Sequence, residues 1–130
     1  MIFESPRIVL VIEDQPNIIN VIKKSLMGML TEVITAPTGE IGVEKARTVD
    51  PDLILLDLAL PGMSGWEVLE TLKAEGRDVP VVIVTAHGDS ATALRASEAG
   101  AQEFLTKPFL PAELRRVVSD HVFPDASRTT

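Results

Sequence analysis

The stretch LILLDLALPGMSG, residues 53–65, runs through four apolar residues, Leu53 to Leu56, and then sets a carboxylate, Asp57, directly against them. Four apolar residues in a row, with no polar alternation, indicate a strand covered on both faces, which is the pattern of a parallel sheet in an α/β protein. A charge at the mouth of such a strand calls for a reason, and the rest of the chain supplies one.

Working outward, RIVLVIED (7–14), EVITA (32–36), DLILLD (52–57), VPVVIVTA (79–86) and EFLTK (103–107) are five predicted strands. Stretches of helical period lie between them. Ile18, Ile22, Leu26 and Met29 or Leu30 fall on one face of a first helix, with Pro16 in its first turn, where a missing N–H costs nothing. A second helix starts at Thr38 and buries Ile41, Val43 and Ala46. Ser64 and Glu67 form a capping box before Trp66, Leu69 and Leu72 of a third. The fourth, SATALRASEAG (90–100), is stopped by Gly100, and the fifth opens at Pro111 and buries Leu114, Val117 and Val118. Alternation of this kind implies right-handed crossovers and a parallel sheet with helices on both faces.

Composition agrees with one compact domain. The 130 residues are 45% hydrophobic and 24% charged, with no cysteine, which excludes disulfide frameworks and thiolate metal sites. The start, MIFESPR, carries an acid and lacks an apolar signal core, and no run approaches the roughly 20 apolar residues of a membrane span, so a cytoplasmic protein without membrane contact is expected. A formal net charge of -7 opposes binding to a phosphate backbone, so this chain by itself is not expected to bind nucleic acid. The domain is placed at 1–122. The polar segment 123–130 is a frayed tail or the start of a linker, leaving open whether the chain acts alone or belongs to a larger protein.

In open parallel sheets the ligand site lies beyond the carboxyl ends of the strands, where the strand order reverses. Asp57 at the end of the third strand therefore shares an edge with Glu13 and Asp14 after the first, Thr85 after the fourth and Lys107 after the fifth. Three carboxylates in one crevice repel one another, and either a raised pKa or a bound cation must relieve the repulsion. Hard oxygen ligands with high negative charge suit Mg²⁺. An aspartate attacks phosphorus to give an acyl phosphate, while a lysine and a hydroxyl stabilise the transferring group. Asp57, between the acidic strand end and the threonine's strand, is the expected nucleophile.

The pair ED after the first strand, DLALPGMSG after the third, TA after the fourth and KPF after the fifth, together with PTGEIGVEKA and EAGAQEFLTKPF, resemble the receiver domains of two-component response regulators, from about Arg7 to Val122. The resemblance implies a flavodoxin-like (βα)5 doubly wound sandwich with strand order 2-1-3-4-5. It implies a phosphoacceptor switch in two-component signal transduction, catalysing only its own aspartyl phosphorylation and dephosphorylation. Asp57 would take a phosphoryl group from a sensor histidine kinase or histidine phosphotransfer protein. Asp14, Asp57, the Ala59 carbonyl and, through water, Glu13 would hold Mg²⁺. Thr85 and Phe104 would be the switch residues, Lys107 would pair with the phosphoryl group, and the Lys107–Pro108 bond would be cis. The signalling face would be the fourth helix, fifth strand and fifth helix, where Arg95, Glu98, Glu103, Arg115 and Arg116 offer charges for a possible homodimer.

Each residue also has a plainer reading. Asp14 is placed to cap the first helix, Glu13 to be a solvated loop acid, and Asp57 to bond turn amides in ALPG. Thr85 suits any strand, and Phe104 suits a core. His87, two residues past Thr85, is either solvent-facing or a tuner of hydrolysis. The sequence departs from the common family pattern at Glu13, where aspartate is frequent; at Phe104, where tyrosine is common; and at Leu110, which leaves the fifth helix poorly capped and is expected to be exposed. Three other functions compete with this one: a phosphorylation-silent receiver-like interaction module, a haloacid-dehalogenase-type phosphatase and a flavodoxin. The phosphatase lacks its second acid, because Ala59 stands two residues past Asp57. The flavodoxin is opposed by the two charges of EDQPN.

Overall fold

A computed structural model describes residues 4–124 of the chain. Its elements in chain order are β1 (Arg7–Ile12), α1 (Pro16–Ser25), β2 (Thr31–Ala36), α2 (Gly39–Val49), β3 (Leu53–Leu56), α3 (Gly65–Ala74), β4 (Val81–Thr85), α4 (Ser90–Glu98), β5 (Glu103–Thr106) and α5 (Pro111–Val122). The five strands are parallel, in the order β2-β1-β3-β4-β5. The sheet edge therefore reverses direction between β1 and β3, as expected for the flavodoxin-like doubly wound arrangement.

The unbroken apolar runs are divided residue by residue between two layers. Leu10, Ile12, Ile54, Leu56, Val81 and Ile83 face Val43, Ala46, Val68, Leu69 and Leu72 of α2 and α3. Val9, Val11, Leu53, Leu55, Val82 and Val84 face Ile22 of α1 and Leu114, Val117, Val118 and Val122 of α5. Leu53 to Leu56 are each at most 1% exposed. At about 1.5–3 kcal/mol for each fully buried aliphatic side chain, such runs are a large part of what holds the sheet centre.

Local details depart from the sequence reading in four places. Strands β1, β3, β4 and β5 are shorter than the stretches assigned to them, so Glu13, Asp14, Asp57 and Lys107 stand just beyond β1, β3 and β5. Helix α1 stops at Ser25, before Met29 and Leu30, because Gly28 takes the left-handed conformation (φ +88°) that turns the chain into β2; Leu30 is 44% exposed. Thr38 is the N-cap of α2 instead of its first residue, its hydroxyl accepting from the Ile41 amide at 3.2 Å. Ile41 is exposed and Gly42 takes the buried position, since a Cβ at Gly42 would stand 2.6 Å from the Ile12 side chain. The start of α5 is not left bare. Leu110 is 65% exposed and caps nothing with its side chain, but its amide donates to the Glu113 carboxylate at 2.8 Å.

The Ser64–Glu67 capping box on α3 is present, and Gly100, at φ +101°, follows α4. Of the tail beyond Val122, residues 125–130 lie outside the described residues. Among the described residues no helix is long and apolar enough to cross a membrane.

Candidate functional site

The ladder of the sheet runs one step past the ends of three strands and so fixes the backbone of the site. The Glu13 amide donates to the Ala36 carbonyl at 3.0 Å, the Asp57 amide to Ile12 at 3.1 Å and the Lys107 amide to Thr85 at 2.8 Å. Side chains from four segments then meet. Lys107 Nζ lies 2.6 Å from Glu13 Oε1 and 3.2 Å from Asp57 Oδ2. Glu13 is 2% exposed, Asp57 4% and Thr85 0%, whereas Asp14 is exposed. One oxygen each of Glu13, Asp14 and Asp57 lie within 4.8 Å of one another. The Lys107–Pro108 peptide is cis.

The plainer readings divide. Glu13 is no solvated loop acid: it is buried against Lys107, and its second oxygen accepts from the amides of Asp14 (3.1 Å) and Gln15 (3.2 Å). A carboxylate on these amides also complements the helix dipole at the start of α1. Asp14 does not cap that helix; the N-cap is Gln15, without a side-chain bond. Among the described residues the Asp14 carboxylate accepts no hydrogen bond and joins no ion pair. Asp57 does bond the turn, since Oδ1 accepts from the Ala59 amide at 3.2 Å. Its other oxygen stays on Lys107.

Burial, first, pushes the Glu13 carboxyl above its ordinary value; the Lys107 hydrogen bond pulls it down and the Asp57 charge raises it again. For an acid raised in the folded state, the stability it contributes is fully present below its unfolded value and is lost as pH rises through the folded one. Glu13→Gln is accordingly expected to be at least as stable as the wild type in the metal-free protein at neutral pH, with any gain vanishing in acid below the ordinary carboxylate range. Urea midpoints of both proteins across pH check this, and a destabilised variant at neutral pH would contradict it.

The donor set fits a hard divalent cation. It is all oxygen and acidic, with Asp14 unengaged at the open side and Asp57 beside it. Both oxygens of Glu13 are already occupied by Lys107 and backbone amides, which favours a Glu13 that acts through water.

The loop after Asp57 is held by contacts that the sequence reading did not identify. Gly65 opens α3 so close to the Asp57 segment that a Cβ there would overlap the Asp57 carbonyl oxygen and stand 2.5 Å from Leu58 Cα. Gly88 likewise lets the β4–α4 loop lie against the Thr106 side chain. The only signal in the sequence is the position of each glycine beside a motif residue. His87 is exposed, and its backbone amide donates to the Thr85 hydroxyl at 3.4 Å.

Phe104 is half-buried in β5, opposite Ile83, beside a cavity of about 210 Å³ under α4 that Ala93, Ala96 and Ser97 also line. The charges expected on the α4–β5–α5 face are largely engaged within the chain. Arg115 turns away to the carbonyls of Ser25 (2.9 Å) and Met27 (3.0 Å), and Arg116 pairs with Glu103 and Asp120. The C-terminal end of α1 has unsatisfied carbonyls to offer, which explains the direction Arg115 takes.

Comparison with known proteins agrees with this geometry. The family profile described as the response regulator receiver domain matches residues 9–119. The regulatory protein LuxO of Vibrio vulnificus is 37% identical over 111 residues, which are 85% of this chain and 24% of LuxO. The transcriptional regulatory protein KdpE of Mycobacterium tuberculosis is 40% identical over 102 residues, 78% of this chain and 45% of KdpE. The chain thus spans about a quarter to under half the length of these relatives. A CheY-like response regulator receiver domain protein from Methanospirillum hungatei superposes with a TM-score of 0.84 at 25% identity, covering 96% of this chain and all of the other.

Proposed function

The chain belongs to the response regulator receiver domain family, and from that premise we propose that it is a phosphoacceptor switch whose residue Asp57 takes a phosphoryl group from the phosphohistidine of a sensor kinase or histidine phosphotransfer protein. The observation that carries the reading is the bridge of Lys107 between Asp57 and Glu13 in one buried pocket, with the Asp14 carboxylate left unengaged at its open side.

In this reading an Asp57 oxygen attacks phosphorus as the bond to the donor nitrogen breaks, giving an aspartyl phosphate. Asp14, Asp57, the Ala59 carbonyl and, through water, Glu13 would hold Mg²⁺, which when bound supplies positive charge beside the phosphoryl oxygens. Lys107 supplies a second fixed charge, already within reach of Asp57. The Thr85 hydroxyl, engaged now only by the His87 amide, turns to a phosphoryl oxygen. That movement leaves room for Phe104 to shift toward the cavity under α4, altering the surface of α4, β5 and α5. Because Phe104 has no hydroxyl, the change travels by packing. The receiver unit is residues 1–122, it works in the cytoplasm, and it catalyses no reaction other than its own phosphorylation and dephosphorylation.

The test is intact-protein mass after incubation with acetyl phosphate, with and without Mg²⁺, followed by peptide mapping. One phosphoryl group gained only with Mg²⁺, and placed on Asp57, supports the reading. Folded protein that gains none from acetyl phosphate or from a panel of phosphorylated kinases would instead be a silent receiver-like module.

Lys107→Ala is expected to accept the phosphoryl group about tenfold to a hundredfold more slowly, since one fixed charge on the transferring group is lost. Once labelled, it should fail to shift the backbone amide resonances of Thr85 and Phe104 as the wild type does. A wild-type pattern of shifts would remove Lys107 from the switch.

A further inference from the structure

The acceptor pocket does not end at Asp57. It is lined by Gln15, Asp57, Ala59, Thr85, Ala86, His87 and Lys107, and Ala59 and His87 are also walls of a second, larger cavity of about 480 Å³ between the β3–α3 loop and α4. The far wall of that cavity is Trp66 of α3 and Arg95 of α4, the guanidinium lying 3.9 Å from the indole ring centroid. Stacking on an aromatic face holds a guanidinium in one plane while leaving its N–H edge available. Among the described residues the Arg95 guanidinium makes no ion pair and no hydrogen bond, unlike those of Arg47, Arg77, Arg115 and Arg116. Asp89, the N-cap of α4, is occupied by that helix, accepting from the Thr92 amide at 2.7 Å. The two cavities adjoin along Ala59 and His87, with Asp57 lining the one and Arg95 the other.

We propose that the Trp66–Arg95 stack is an anion subsite that receives the carboxylate half of an acyl phosphate donor, so that this chain is selective for small donors whose leaving group is anionic. The inference rests on the phosphoacceptor reading and names the substrate class of the same site. Asp57 oxygen forms the new bond to phosphorus, and the bond from phosphorus to the acyl oxygen breaks. The electron pair departs with the carboxylate, which needs no proton and pairs with Arg95. A phosphoramidate donor breaks a phosphorus–nitrogen bond instead and releases neutral ammonia, which gains nothing from Arg95.

The experiment compares initial rates of Asp57 labelling by acetyl phosphate and by phosphoramidate in the wild type, Arg95→Gln and Trp66→Leu, all with Mg²⁺. Arg95→Gln should lower the acetyl phosphate rate about tenfold and the phosphoramidate rate by less than about twofold, the size of one charged hydrogen bond lost. Trp66→Leu keeps the charge but frees the guanidinium, and should fall between. Equal losses with both donors, or no loss with either, would overturn the subsite; a Trp66→Leu rate equal to wild type would overturn the clamp. Since Trp66 is the only tryptophan and the chain has no tyrosine, its emission reads the site directly. Sodium acetate, against sodium chloride at equal ionic strength, should change that emission in the wild type and not in Arg95→Gln. Absence of labelling by any donor would sink the phosphoacceptor reading, while the emission titration would still decide whether the stack binds a carboxylate.

Discussion

Asp57→Asn is expected to lose phosphoryl acceptance by at least about a hundredfold while remaining folded and at least as stable as the wild type. The amide keeps the shape of the carboxylate, and its oxygen can still accept from the Ala59 amide, as Asp57 Oδ1 does. Lys107 keeps Glu13 at 2.6 Å, so the buried lysine is not stranded. Removing one of two buried carboxylates that share a lysine also removes their mutual repulsion. What disappears is the anionic oxygen that attacks phosphorus, for which an amide is no substitute. Mass spectrometry with acetyl phosphate and Mg²⁺ reads the loss, and urea unfolding reads the stability. Undiminished labelling of the variant would move the acceptor to another residue, with Asp14 the first to be mapped. A variant that unfolds would show that Asp57 holds the site together as well as reacting in it.

The second large effect belongs to a residue with no side chain. Gly65→Ala is expected to cost about 2–3 kcal/mol and to slow phosphoryl acceptance about a hundredfold. The added Cβ would meet only backbone, the Asp57 carbonyl and Leu58 Cα, and no flexible side chain stands there to yield. Either α3 moves off or the Asp57 segment does. The Gly65 amide donates to the Leu58 carbonyl at 3.0 Å, so the two segments are tied and move together. Gly76→Ala makes the control. Gly76 is at φ +70° with nothing within 4 Å of a built Cβ, so an alanine there adds only local backbone strain, at the far end of α3 from Asp57. It should lose about 1 kcal/mol and accept phosphoryl groups normally. Urea unfolding and initial labelling rates distinguish the two, and equal kinetic losses in both variants would remove the special role of Gly65.

These two residues also show where reading the sequence succeeds. Asp57 stands out because four apolar residues run into it, and such a run is buried on both faces only in a parallel sheet. Ser64 and Glu67 announce the start of α3 because a capping box is closed within three residues of chain. Pro16 and Gly100 mark helix ends for the same kind of local reason. Gly65 looks like any loop glycine until the Asp57 carbonyl is found where its Cβ would be. Leu30 and Ile41 fit a helical period and are nonetheless exposed, since Gly28 ends α1 early and Gly42 is what α2 presents to Ile12.

The sequence by itself determined the class of fold, the five strands and helices, and the set of residues gathered at one edge of the sheet. Those follow from unbroken apolar runs, from the helical period of 3.6 and from caps, all of which act within a few residues. Only the tertiary structure decided the state of each member of that set: Glu13 buried and bonded through both oxygens, Asp14 beside it and free, Arg115 spent on the end of α1, and Arg95 clamped to Trp66 with its hydrogen-bonding edge unused. Lys107 and Glu13 are 94 residues apart in the chain and 2.6 Å apart in space. Which charges pair depends on the depth and angle at which five helices dock on the sheet, and that is fixed by the packing of the whole core.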